Sequence, residues 1–387
     1  MLQLLNSFFL NKKLHILFLC GWYPSRVSPN NGDFIQRHAK SVSILHKVSV
    51  LHIISDKNCV KEIEIESKVE HGVRIYIGYI KNTKNPIYKA FLFHKVYRKI
   101  LTEIGFFDLI HLNTLYPFGL LALHQKIKHK KPYLISEHWT GYHKPQANSI
   151  SLIRKFLSKT ITKKATYICP VSNDLKEAME SLGLKGNYKP VPNVVNTTLF
   201  SPKESTNSVF TILHASNLVN KHKNIEGILR VIAKLQEKIG PFVFKLIGED
   251  AKQYKSFAKK LKISDDVIVF EDHASHKKIA AELNNSNLFV LFSNYENLPC
   301  IILESFATGT PVISTNVGGI KEHFPKNFGY LINKEDMNEL ISKIIDVHSN
   351  FKVNKTKMHA YVENHFSEKI IAQKFTNLYE SSLKLNN

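Results

Sequence analysis

The stretch Glu296-Asn-Leu-Pro-Cys-Ile-Ile-Leu-Glu304, continued by Ser305-Phe-Ala-Thr-Gly-Thr-Pro-Val-Ile-Ser-Thr-Asn-Val-Gly-Gly319, decides the fold of this chain. Ahead of it, residues 288–293 form a short apolar run that reads as a buried parallel strand. Asn297 is a good helix N-cap, and Pro299 suits a first helical turn, where its missing N–H costs nothing. Gly309 fits the residue past the helix end, and Pro311 prevents continuation. A second apolar strand follows at 312–314, and Gly318-Gly319 makes the next turn. Amides at the helix start, near Leu298–Ile301, would attract a phosphate. Glu296 stands before that helix and Glu304 inside it, so two carboxylates flank a natural anion site. A capped helix carrying two solvated acids is the plainer alternative.

The chain has 387 residues, 43% of them hydrophobic, which suits two globular domains of about 190 residues each. Four scattered cysteines (Cys20, Cys59, Cys169 and Cys300) form no C-x-x-C pair. That argues against a zinc site and a disulfide framework, and it suits a reducing, cytoplasmic compartment. No apolar run reaches the roughly 18–20 residues that span a bilayer. Residues 1–10 are apolar, but Lys12-Lys13 follows them instead of preceding them, and no small-residue cleavage site stands after them. They read as an extension leading into the first strand.

The formal charge of +21 is unevenly spread. Residues 1–195 hold 29 Lys and Arg against 12 Asp and Glu, and residues 196–387 hold 24 against 20, about +17 and +4. A basic half needs an anionic partner or surface. No RNP-like aromatic strand or zinc finger favours nucleic acid, so a membrane or phospholipid-linked acceptor ranks first.

Strands and helices alternate along the first half. Residues 14–20 read as a strand, followed by a polar loop through Gly32 and a helix over 33–46 with Ile35, Ala39, Val42 and Leu45 on one face. Further strands fall at 48–54, 73–79, 107–112, 133–136 and 167–171, with a helix from about Ser172. The strand at Tyr133 ends in Glu137-His138-Trp139, and ligands of such sheets sit at carboxyl ends of strands. Two stretches, 81–99 and 150–164, mix cations with aromatic and aliphatic residues, as helices lying on an anionic membrane surface do. They read slightly better as the ordinary amphipathic helices of an α/β domain. The second half restarts with a strand at 210–214 running into Ala215-Ser-Asn-Leu218, then Lys221-His-Lys-Asn224 and a helix with Ile225, Ile228, Leu229, Ile232 and Leu235 on one face. Strands at 242–248, 267–270 and 288–293 continue it, with helices at 252–261, 276–285 and from Ser367. No cluster of metal ligands stands out, and no cofactor is called for.

Glu, seven residues, Glu, from Glu296 to Glu304, with the Thr-Gly-Thr-Pro-Val after it, resembles the signature of retaining glycosyltransferases of the GT-B fold, family 4. The resemblance spans nearly the whole chain and is strongest from Tyr167 onward. It implies an α/β protein with two Rossmann-like, doubly wound parallel-sheet domains facing a central cleft. The domains fall at 1–195 for the acceptor and 196–365 for the nucleotide sugar, with a helix at 366–387 crossing back to the first. It implies that Glu296 holds the donor sugar's hydroxyls, Glu304 the ribose, and the helix start (Asn297, Leu298, Pro299, Cys300, Ile301) the diphosphate. His138 matches a histidine beside the donor sugar, although a packed structural role is open. Gly32 matches a glycine of the donor loop, although a tight turn alone also needs it. Where family members carry Gly-Arg-Leu, this chain has Ser216-Asn217-Leu218, so Asn217 stands in the arginine's place; Lys223 occupies the lysine position. His138, Glu296 and Lys223 form the expected catalytic set, with no protein nucleophile and no metal. The segment Pro192-Asn-Val-Val-Asn196 resembles the family's interdomain segment, with Val194 for glycine and Asn196 for aspartate. The implied activity moves a hexosyl or related group from a UDP- or GDP-sugar to a glycan or lipid-linked acceptor, in polysaccharide or lipopolysaccharide synthesis, at the cytoplasmic side of a membrane. A non-catalytic nucleotide-sugar binder of the same fold is the alternative.

Overall fold

A computed structural model of the protein describes residues 13–385, so the reading of residues 1–10 lies outside the described residues. The chain divides into two compact units. One holds the described residues up to Val194 together with those from Glu368 onward, and the other is Val195–Ser367.

The first unit is built on β1 (His15–Cys20), β2 (Lys47–Asp56), β3 (Ile63–Glu70), β4 (Val73–Lys81), β5 (Leu109–Asn113), β6 (Tyr133–Glu137) and β7 (Tyr167–Pro170), in the order β3-β4-β2-β1-β5-β6-β7. Every pairing is parallel except that of β3 with β4. β1, β5, β6 and β7 are buried along their whole length, as strands covered by helices on both faces must be, and this is why they read as unbroken apolar runs. β3 is the edge, and its Glu64, Glu66, Lys68 and Glu70 discourage another strand from pairing there. It joins β4 through His71-Gly72, both at positive φ, the pair a two-residue hairpin turn uses.

On one face, the helix Asp33–Ser43 buries Ile35, Ala39 and Val42, and the last helix, Glu368–Lys384, buries Ile371, Phe375 and Tyr379 in the same core cluster. The first of these is helical to Ser43 and closes with a turn in which the His46 amide bonds the Val42 carbonyl (3.0 Å), while the His46 ring bonds Thr376 (2.9 Å). The helices Pro86–Ile104, Gly119–His129 and Leu152–Lys164 cover the other face, where Gly78 of β4 lies against Val96 and Ile100.

The second unit carries β8 (Phe210–Ala215), β9 (Phe242–Ile247), β10 (Ile268–Glu271), β11 (Leu288–Leu291), β12 (Val312–Thr315) and β13 (Gly329–Ile332), all parallel, in the order β10-β9-β8-β11-β12-β13. The helix Ile225–Leu235 buries the apolar face expected of it, and Gly309 takes the left-handed conformation (φ 75°) past the end of the helix Cys300–Thr308. Residues 329–366, left unassigned above, add β13 and the helices Met337–Ser349 and Lys355–Phe366.

Candidate functional site

In the second unit the strand order reverses between β8 and β11, since β8 leads to β9 on one side and β11 to β12 on the other. Outside the carboxyl ends of two such strands lies the crevice where α/β sheets bind ligands. The chain leaving β8 runs through Asn217 into a single helical turn, Asn220–Lys223, and the chain leaving β11 runs through Ser293 to Glu296. The two loops are stitched together. Asn294 donates its amide to the carbonyl of His222 (2.7 Å) and its side-chain NH2 to that of Lys221 (3.1 Å). Lys223 Nζ pairs with Glu296 Oε1, their side chains only 16% and 9% exposed. The hydroxyl of Ser293 donates to the same carboxylate oxygen (2.7 Å).

Glu296 is braced from behind as well. Thr315 at the end of β12 donates its hydroxyl to the carbonyl of Ser293 (2.7 Å), and the amide of Gly319 donates to the carbonyl of Asn297 (2.9 Å). Gly318, at φ 59°, lies so close that a Cβ there would stand 2.0 Å from the carbonyl oxygen of Glu296. Only glycine fits that approach. Ser293 and Thr315 were not singled out from the sequence; their only signal is a hydroxyl residue at the end of each neighbouring strand.

The helix after Glu296 begins at Cys300, two residues later than the sequence suggested. Pro299 is its flanking residue in extended conformation (φ −69°, ψ 126°), so Asn297 is not its N-cap. Leu298 precedes a proline, which disfavours helical geometry, and its side chain is buried. Pro299, Cys300 and Ile301 are half-buried at the helix start, and Glu304 is buried within the helix. On the β8 side, His214 is fully buried, and burial lowers its pKa to about 4. Its Nδ1 meets the carbonyl of Val290 (2.8 Å), so that nitrogen carries the proton and Nε2 accepts from the Ser216 hydroxyl (2.8 Å). Ser216 Oγ in turn accepts the Leu218 amide (3.1 Å), which fixes the turn leading to Asn217. Asn217, in the arginine's place, is exposed and accepts the Val219 amide (3.4 Å). The nearby basic groups are exposed Lys221, His222 edge-on to Tyr295 (6.2 Å), and Lys334 over the Tyr295 ring (4.9 Å).

The first unit places Gly32 and His138 near one another. Gly32 (φ 79°) starts the helix Asp33–Ser43 and packs on the loop after β1, where an added Cβ would stand 2.6 Å from the Trp22 carbonyl carbon. The turn alone therefore requires glycine. From that helix Phe34 and His38 reach the His138 ring, at 4.4 Å and 5.5 Å between centroids. Burial, reinforced by His38, holds the pKa of His138 well below the ordinary range, so the ring is neutral. The residue before it proves the more constrained. Glu137, 1% exposed, accepts the amides of His138 (2.9 Å) and Trp139 (3.1 Å) on one oxygen. Its other oxygen accepts the Leu115 amide (3.0 Å) and the Tyr142 hydroxyl (3.0 Å). Burial pushes its pKa up, while the four donors favour the charged form. It locks the loops after β5 and β6 together. Among the described residues no group of three or more His, Cys, Asp or Glu is placed to hold a metal ion.

Residues 197–364 match the family model described as glycosyl transferases group 1, and residues 45–199 match that described as glycosyltransferase family 4. An uncharacterized glycosyltransferase of Methanocaldococcus jannaschii is 27% identical over 267 residues, 68% of this chain and 71% of that protein. Three solved structures share the fold across 95% or 96% of this chain and 99% or 100% of theirs. They are the sucrose-phosphate synthase of Thermosynechococcus elongatus (TM-score 0.78, 17% identity), an Anabaena protein in complex with UDP and glucose (0.71, 16%) and a lipopolysaccharide outer core galactosyltransferase (0.67, 16%). The two family matches meet at the segment joining the two sheets. The chain belongs to the glycosyltransferases of the GT-B fold, with residues 197–364 of the glycosyl transferases group 1 type.

Proposed function

We propose that the protein is a retaining hexosyltransferase that moves a sugar from a UDP- or GDP-sugar to a glycan or lipid-linked acceptor, in cell-surface polysaccharide or lipopolysaccharide synthesis. The observation that carries the reading is the Lys223–Glu296 pair across the crevice at β8 and β11. A departing nucleoside diphosphate gains charge in the transition state, and a fixed cation beside it lowers the barrier. Lys223 is that cation, and the start of the helix Cys300–Thr308 adds the positive end of a helix dipole. Glu296, held by Ser293, takes the sugar hydroxyls, and Glu304 takes the ribose. In the transfer step the bond from the anomeric carbon to the phosphate oxygen breaks and the acceptor oxygen bonds that carbon on the same face. The acceptor's proton goes to the departing phosphate oxygen, so no protein nucleophile enters. Neutral His138 offers a hydrogen bond to the donor sugar. The Anabaena structure with UDP and glucose supports a nucleotide-sugar donor, and the outer core galactosyltransferase supports the class of product.

Asn217 favours a second reading, a protein that binds a nucleotide sugar without turning it over. A thermal-shift panel of UDP-, GDP-, ADP- and CMP-sugars, followed by release of nucleoside diphosphate with glycan acceptors, separates the two. A selective shift with turnover supports transfer, and a shift without turnover supports the second reading. No shift with any donor removes both.

A further inference from the structure

Three consecutive helices, Pro86–Ile104, Gly119–His129 and Leu152–Lys164, lie side by side on one face of the first unit's sheet. Phe93 meets Phe118 (5.2 Å), Gln125 donates to Tyr97 (3.1 Å), and the Tyr133 hydroxyl reaches the Ile161 carbonyl (2.5 Å). Together the helices carry eleven Lys and Arg and a single carboxylate, Glu103. Each follows a parallel strand, so each begins at the carboxyl edge of the sheet. In those first two turns six large apolar side chains are turned to solvent. Leu152, Ile153 and Phe156 are 82%, 75% and 69% exposed, Ile87 is 81% exposed, and Phe91 and Leu120 are exposed as well. The same helices bury other residues against the sheet (Leu92, Val96, Ala122, Ile161), so the outward set is additional to the core-facing one. This edge also holds the loop of His138: the Arg154 guanidinium stacks on Trp139 (4.7 Å) and Tyr116 (4.4 Å). Lys89, Arg154 and Lys155 stand in the same first two turns, with Lys159 one turn further along and the other cations deeper in the helices. Solvent-facing aliphatic and aromatic residues flanked by such cations suit the acyl and headgroup layers of a negatively charged membrane.

We propose that this rim docks the protein on an anionic lipid bilayer, with the first two turns of the helix Leu152–Lys164 entering the interface and its lysines meeting lipid phosphates. This deepens the lipid-linked acceptor reading above, because it brings the acceptor's own membrane against the His138 loop. No described helix is long and apolar enough to cross a membrane.

The test is co-sedimentation of the full chain with vesicles of phosphatidylcholine, with and without phosphatidylglycerol, alongside a thermal-shift readout of nucleotide-sugar binding. Binding is expected to the anionic vesicles alone and to weaken with salt. The triple variant Leu152→Ser, Ile153→Ser, Phe156→Ser should bind them about tenfold more weakly or worse, as should Lys155→Glu with Lys159→Glu. Both variants alter exposed or half-exposed positions and should keep the wild-type nucleotide response. Equal recovery with neutral vesicles, unchanged binding by the triple variant, or equal affinity for duplex DNA would each overturn the proposal. A concentration-dependent dimer abolished by the triple variant without lipid would assign the rim to a second copy instead. Lost vesicle binding with an intact nucleotide response counts against the rim alone, and the converse counts against the transferase reading alone.

Discussion

In the second unit Lys223 is paired with Glu296, both side chains largely buried. A diphosphate must share or take over that lysine. Glu296→Gln removes the competing charge while keeping the side chain's shape and its reach to Ser293. A charge-assisted hydrogen bond in such surroundings contributes about 1.5–3 kcal/mol. Recovering the lower end of that range makes a bare nucleoside diphosphate bind about tenfold more tightly, at about 1.4 kcal/mol per decade. The sugar, by contrast, loses its carboxylate acceptor, so turnover of the nucleotide sugar should collapse in the same variant. Calorimetric titration of wild type, Glu296→Gln, Lys223→Met and the double variant with the preferred nucleoside diphosphate closes a double-mutant cycle. Lys223→Met alone should lose nucleotide affinity. It should also destabilise the second unit by about 3 kcal/mol or more, because Glu296 is left buried and unbalanced. The double variant should regain most of that stability but not the affinity. Unchanged or weakened nucleoside diphosphate binding by Glu296→Gln would refute the idea that the two residues compete.

Three further outcomes follow from the same geometry. Gly318→Ala should fold but lose at least about tenfold in turnover, because a Cβ at φ 59° adds about 1–2 kcal/mol of strain and presses on the Glu296 carbonyl; wild-type turnover would refute the bracing role. Glu137→Gln should lower the urea midpoint of the first unit by about 2–3 kcal/mol of stability, since an amide NH2 must face a buried donor. Trp22 and Trp139 both lie in that unit, so tryptophan fluorescence reads it directly, and an unchanged midpoint counts against the lock. His38 and His52 have pKa values lowered to about 4 by burial, against an unfolded value near 6.5. Between those values the unfolded chain binds more protons, so their contribution is complete above about pH 6.5 and declines as pH falls toward 4, by up to about 1.4 kcal/mol per unit for each. The same fluorescence melt should give a lower midpoint at pH 5 than at pH 7.5, and a flat profile would refute it.

The sequence by itself determined the class of fold. Apolar runs such as residues 15–20 and 288–291 must be buried on both faces, which means parallel strands under helices, and strand–loop–helix alternation leaves little else to build. Glu296, Glu304 and Lys223 stood out through their places in a family signature, since two glutamates eight positions apart carry little weight alone. Tertiary structure decided how those groups are held. That Lys223 meets Glu296 depends on β8 and β11 lying side by side although 73 positions separate the pair, and spacing along a chain carries no trace of such a neighbour. The start of the helix at Cys300 was set by Leu298 packing inward, against a capping pattern that pointed to Asn297. Glu137 was not singled out from the sequence, yet the Leu115 amide reaches it once β5 and β6 pair and joins three donors from its own loop. Local propensity writes elements into the sequence, whereas a buried carboxylate finds its partners only when distant strands come into register.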